Sequence, residues 1–218
     1  KLKKTVKSLT IVRENKFFDS QWYGSATTTP TIFCVNKIGV ADQDGTVASN
    51  NANLSKRIGK RLQQTHLMIK GQIYNSPLTT SPDNWCMVRM LVVIYPDLIP
   101  TATLDNVLNP VSGLVGGSYI LSHKNRMPRT PYQVIYDKKI NLSSMYQSEA
   151  QQYPVEPWRR DVNITIPIKG QYRDVRWAED ESVSGPTNNG IAVYIVSDSG
   201  TVSHPSYALN FRLRYKDA

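Results

Sequence analysis

The chain has 218 residues, of which 40% are apolar and 20% charged, enough for one substantial core under a loop-rich surface punctuated by 13 Pro and 12 Gly. Its apolar runs fall far short of the ~18 residues a membrane-spanning helix needs. With 26 Lys and Arg against 17 Asp and Glu, the net charge of +9 favours an anionic partner, nucleic acid foremost.

The chain opens KLKK with no initiator methionine. Lys1, Lys3, Lys4 and Lys7 are expected to be the end of a basic N-terminal arm whose remainder precedes the sequence. Strands are predicted at about Thr5–Arg13 and Thr31–Asn36. The next segment, SKRIGKR, places Lys56, Arg57, Lys60 and Arg61 within six residues. It runs directly into a predicted strand at Gln63–Tyr74, where Leu67, Ile69, Gly71 and Ile73 alternate with polar residues, and His66 falls on the polar side. After the turn-rich NSPLTTSPDN comes Trp85–Tyr95. Its stretch MVRMLVVIY is nearly all apolar and is expected to be a central strand covered on both faces.

Pro100–Leu108 predicts one short helix, with a Thr cap at its start and Asn109-Pro110 at its end. Further strands are predicted at Tyr132–Leu142, Asp161–Lys169, Ile191–Ser197 and Tyr207–Lys216. VNITIPIK turns Val162, Ile164, Ile166 and Ile168 to one side. ALNFRLRYK turns Leu209, Phe211, Leu213 and Tyr215 inward and Asn210, Arg212, Arg214 and Lys216 outward. A half-buried strand has this period of two; an amphipathic helix does not. Eight such segments, long loops and one or two short helices predict an all-β protein. Its expected architecture is a single eight-stranded jelly-roll sandwich over residues 1–218.

No constellation for catalysis emerges. The three histidines, His66, His123 and His204, have no metal-ligand spacing with one another, with Cys or with a carboxylate. Cys34 and Cys86 match no metal or redox motif and are expected to be buried free thiols of an intracellular, reducing origin. Gly113–Gly117 lacks the Lys-Ser/Thr of a phosphate loop and reads as a flexible loop. The acidic run Glu179-Asp180-Glu181 reads as a solvated loop, with a calcium ion at a subunit contact as the rarer alternative. The expectation is therefore no enzyme, no cofactor and no metal. What remains is charge. The candidate nucleic-acid contacts are Lys1, Lys3, Lys4, Lys7, Lys56, Arg57, Lys60, Arg61, Arg212 and Arg214, since Lys and Arg hold phosphates without base contacts. Tyr74, Trp158 and Trp177 lie near cations and are candidates for stacking on bases, although each fits a core or interface role as well.

The order of segments resembles a known family. Arg57-Ile58-Gly59-Lys60-Arg61, followed by a strand ending at Gly71 and Ile73, resembles a motif of capsid proteins from circular, Rep-encoding single-stranded DNA viruses of the geminivirus-like and genomovirus-like group. VRMLVVIYPDLIPTATLDNVLN resembles that family's Arg-bearing hydrophobic strand, loop, Pro-Thr and small helix. NRMPRTPYQVIYDKKINL resembles the element that follows, and FRLRYKDA the basic-aromatic closing strand. These segments occur in order between Arg57 and Ala218. Two departures stand out: Pro96-Asp97-Leu98-Ile99 replaces the usual loop, and only KLKK stands where the Arg-rich arm belongs.

The resemblance implies a coat protein in a virion, assembled with itself into an icosahedral T=1 shell of about sixty copies around single-stranded DNA. It also implies passage through the host nucleus by way of its import machinery, and no membrane partner. Sixty copies at +9 would carry about 540 positive charges, against more than roughly 1,500 phosphates of a genome holding this gene and a larger one. An N-terminal basic arm would narrow that deficit. Two rivals stay open at this point. One is the coat of a small single-stranded RNA virus or satellite. The other is a carbohydrate-binding jelly roll using some of Trp22, Trp85, Trp158 and Trp177.

Overall fold

Apolar side chains at every second position of a strand give a sheet one apolar face, and stacking two such sheets buries it. A computed structural model describes residues 15–38, 59–75, 85–97, 104–109, 119–126, 131–143, 158–178, 185–200 and 204–217. The strands are β1 Asn15–Ser25, β2 Thr31–Cys34, β3 Arg61–Tyr74, β4 Trp85–Tyr95, β5 Gln133–Ser143, β6 Arg159–Pro167, β7 Asp174–Arg176, β8 Gly190–Ser197 and β9 Ser206–Asp217.

One sheet runs β1-β9-β3-β6, with the three-residue β7 added beside the start of β3, and the other runs β2-β8-β4-β5. Every pairing is antiparallel. Leaving β7 aside, the first strand pairs with the last, the second with the last but one, the third with the sixth, and the fourth with the fifth. A long hairpin rolled upon itself gives that order, and the architecture is a jelly-roll sandwich.

The core between the sheets holds Leu67, Ile69 and Ile73 of β3, Val88, Met90 and Val92 of β4, and Leu209, Phe211 and Leu213 of β9, all essentially solvent-free. At one end Trp22 stacks on Phe33 at 5.3 Å and Phe33 on Phe211 at 5.1 Å. Such offset aromatic contacts add to the stabilisation from area burial alone. Gly71 sits at φ 153°, and a Cβ there would come within 2.0 Å of the Ala208 carbonyl oxygen. The β3–β9 crossing therefore requires glycine.

The second sheet is buried on its other face too, as the apolar run in β4 predicts. Leu91, Val93 and Tyr95 of β4 and Tyr194 and Val196 of β8 are covered there by Leu104, Val107, Leu108 and Ile120. Arg89 fastens this cover. Its guanidinium donates to both Asp137 carboxylate oxygens at 2.9 Å and to the carbonyls of Tyr119, Ile120 and Ser122 at 2.7, 3.2 and 2.9 Å. Burial pushes the Asp137 carboxyl up, but the hydrogen bonds and charge of Arg89, helped by Lys124 and Lys139, hold it below its ordinary value. On the same face the Tyr95 and Tyr194 hydroxyls meet at 2.6 Å, and burial raises the Tyr95 hydroxyl to about 12.

Several expectations need correction. The helix at Pro100–Leu108 is a single 3-10 turn, Leu104–Asn106, and residues 100–103 lie outside the described part. Leu108 leaves that turn to form a β-bridge with Lys124, because the sheet beneath takes up its apolar side chains. A second 3-10 turn, Gly170–Arg173, follows β6. The strand expected at Thr5–Arg13 lies outside the described residues, while β1 at Asn15–Ser25 escaped the period-two reading. Its inward positions include Lys16 and Ser20, and its outward ones Phe17 and Tyr23, so polarity does not alternate cleanly. Cys86 is buried, but Cys34, on the edge strand β2, is only half-buried; both are free thiols.

Candidate nucleic-acid interface

With one sheet covered behind, the flat surface left open among the described residues is the outward face of β1-β9-β3-β6. Pleating places alternate residues of four strands on it in transverse rows. Across one row stand Phe17, Arg214, His66 and Pro167; across the next Asp19, Arg212, Met68 and Thr165; across the third Gln21, Asn210, Lys70 and Asn163. Successive rows lie about 7 Å apart, two residues along a strand.

Cations concentrate at one end of this face. A groove of about 750 Å³ is lined there by Lys169, Arg173, Arg214 and Lys216 together with Phe17 and His66, and among the described residues no Asp or Glu lines it. Lys169, which precedes the 3-10 turn after β6, and Arg173, the last residue of that turn, are brought beside Arg214 of β9 by the β3–β6 and β3–β9 pairings. None of Lys169, Arg173, Arg214 and Lys70 makes an ion pair with a described residue. Unpaired, closely spaced guanidinium and ammonium groups over a concave surface focus a positive potential suited to a phosphate chain.

The predicted contacts divide into three sets. Lys1, Lys3, Lys4, Lys7, Lys56 and Arg57 lie outside the described residues. The four lysines at the start of the chain stand eight to fourteen positions before Asn15, the first residue of β1 and itself part of the groove wall. Lys60 is exposed at the entry to β3, after Gly59, whose φ of 75° makes the turn left-handed. Arg61 and Arg212 are already engaged. Arg61 donates to both oxygens of Asp174 at 2.7 and 3.0 Å, and Arg176 reaches the same carboxylate at 3.4 Å. The Arg61 hydrogen bond and charge, with a weaker contribution from Arg176, hold the Asp174 carboxyl low against its partial burial. Arg212 donates to both oxygens of Asp19 at 2.7 Å. Of the predicted set, Arg214 alone lines the groove with no ion-pair partner among the described residues.

Sequence reasoning missed Lys70, Lys169 and Arg173. Their alternation with Ile69 and Ile168 marks Lys70 and Lys169 as outward. Their proximity to Arg214 depends on which strands become neighbours. Of the aromatic candidates, Trp177 is a core residue at 3% exposure and Trp22 stacks within the core, which removes two of the four tryptophans from any sugar platform. Tyr74 and Trp158 are half-buried, whereas Trp85 is 53% exposed. Among the described residues no three of His, Cys, Asp and Glu group as a metal site, and no helix is long and apolar enough to cross a membrane.

No protein-family model and no curated protein matches the chain. Solved structures are similar to it at a distance. A chain of Desmodium yellow mottle tymovirus is 11% identical, with 94% of this chain and 88% of that one covered and a TM-score of 0.37. A chain of the Israel acute paralysis virus pentamer is 12% identical over 91% of this chain and 66% of that one, at a TM-score of 0.32. The BFDV capsid protein, solved as a 60-mer, is 8% identical over 94% and 91%, at 0.29.

Proposed function

We propose that the chain is a structural subunit of a small viral shell that assembles with itself and packages single-stranded DNA through the outward face of the β1-β9-β3-β6 sheet. The observation that carries this reading is the basic groove of Lys169, Arg173, Arg214 and Lys216, opening beside the start of β1 and without an acidic side chain among its described residues. The lysines at positions 1, 3, 4 and 7 precede Asn15 of the groove wall by eight to fourteen positions, near enough in sequence to add their charge to the same nucleic acid. Contact is to phosphates, through charge and counterion release, and carries no sequence preference. The same lysine cluster is the candidate signal for the host's nuclear import machinery.

Self-assembly is supported by a rigid sandwich with exposed large apolar side chains at its margins, Tyr23 at 80%, Leu121 at 56% and Trp85 at 53%. Closed cyclic contacts between copies would cover them. The choice of DNA over RNA rests on the likeness of RIGKR and the closing strand to coats of single-stranded DNA viruses.

The test is expression of the full chain, negative-stain microscopy of the product, and nuclease digestion of what it encloses. The expected result is closed shells whose nucleic acid, after disruption, is degraded by DNase and not by RNase. Monomers or dimers under every assembly condition, with no affinity for polyanions, would overturn the reading; RNase-sensitive contents would overturn the DNA assignment alone.

A further inference from the structure

Arg212 occupies the centre of the basic face but is poorly placed to clamp a phosphate. Its Nε and one terminal nitrogen are committed to the two oxygens of Asp19, both at 2.7 Å, which cancels its charge locally. The pair is half-exposed, 46% and 49%, and exposed ion pairs contribute little to stability. What a bidentate pair does provide is orientation. The guanidinium carbon is held over the ring of Phe17, 4.5 Å from its centroid. On the other side of Arg212 in the same row lies Met68, a half-buried thioether. Arg212 also forms the ridge between two hollows. On one side is the basic groove with Arg214 and Lys169; on the other is a smaller depression with Lys70, Gln21 and Asn210, walled by the Arg212-paired Asp19.

A planar, charge-neutralised guanidinium backed by an aromatic ring and flanked by a soft apolar side chain suits the face of a heterocycle. Cations in the hollows on either side suit the phosphates before and after it. From this arrangement we infer that Phe17, Arg212 and Asp19 form a stacking platform for one unpaired nucleobase, making the face selective for single strands. In a duplex the base faces are already stacked on their neighbours, so only an unpaired base can use the platform. Asp19 is a positioning residue: it aims the guanidinium and never touches the nucleic acid. This inference rests on the packaging role proposed above and adds to it a reason for preferring single strands.

The experiment compares binding of the full chain to an oligothymidylate and to an abasic oligomer of the same length and phosphate count, by fluorescence anisotropy. Wild-type protein is expected to bind the base-bearing oligomer at least about fivefold more tightly. Arg212→Lys keeps the charge and loses the plane; Phe17→Leu keeps the apolar bulk and loses the ring. Both are expected to abolish most of that preference, so that the ratio of the two affinities falls toward one. Equal binding of the two oligomers by wild type, or an undiminished preference in both variants, would overturn the platform and leave the packaging role standing. Failure of wild type to bind either oligomer would overturn the packaging role and the platform together.

Discussion

Replacing Arg89 with methionine tests whether the cover on the second sheet is held by one buried charge. The Arg89 side chain is 5% exposed and that of Asp137 22%. Methionine preserves length and apolar contact but deletes two bonds to the carboxylate and three to the carbonyls of residues 119, 120 and 122. Breaking a buried pair by removing one partner costs about 3–5 kcal/mol. Asp137 recovers part of that by hydration, being partly open. The stranded carbonyls, each worth about 1 kcal/mol when left without a donor, pull the other way. The net expectation is a loss of about 3–4 kcal/mol, which for a chain of this size lowers the melting temperature by about 6–16 °C. Calorimetry and urea titration on dissociated subunits would measure it. Hydrogen exchange supplies a local readout, with amides of residues 104–109 and 119–126 opening before those of β3 and β9. A melting shift under about 2 °C, or a uniform rise in exchange across both sheets, would refute the idea that Arg89 fastens this segment.

Asp137 has a depressed pKa, so its contribution is complete above the ordinary carboxylate value of 3.8 and is lost as pH falls through its lower folded value. Asp137→Asn should therefore flatten the fall of melting temperature below about pH 4, and an unchanged slope would count against the pair. Burial raises the Tyr95 hydroxyl to about 12, so its stabilisation is present below the ordinary tyrosine value and disappears as pH rises toward 12. Tyr194→Phe should shift the alkaline unfolding midpoint, followed by phenolate absorbance. Gly71→Ala should cost more than the ~1 kcal/mol of an ordinary strand substitution, because its Cβ meets the backbone of β9 and not a movable side chain; expression yield and urea midpoint report it. Reversing Lys169 and Arg173 to Glu should weaken binding to single strands and lower the slope of log affinity against log salt by more than one unit, whereas reversing Lys60 should change it less.

The strand pattern was legible because burial of alternate residues leaves a period of two in the residues themselves. β3, β4, β5, β6, β8 and β9 lie within two or three residues of their predicted bounds for that reason. β1 was hidden because Phe17 and Tyr23 face outward and Lys16 inward, against their polarity. The buried polar contacts were hidden more deeply. Asn36 donates to the Gln64 side chain and to the Asn189 carbonyl and accepts from the Ile191 amide, and nothing in the local sequence distinguishes these amides from surface ones.

By itself, then, the chain determined its positive balance, most of its strand content and the direction in which each alternating strand points its side chains, since all three depend on residues near in sequence. Only the tertiary structure decided which charges act together. Asp19 cancels Arg212 from 193 positions away, Asp174 cancels Arg61 from 113 positions away, and Lys169 and Arg173 join Arg214 because β3 lies between β6 and β9. Coulomb interactions depend on distance in space, and rolling the hairpin into a sandwich sets those distances.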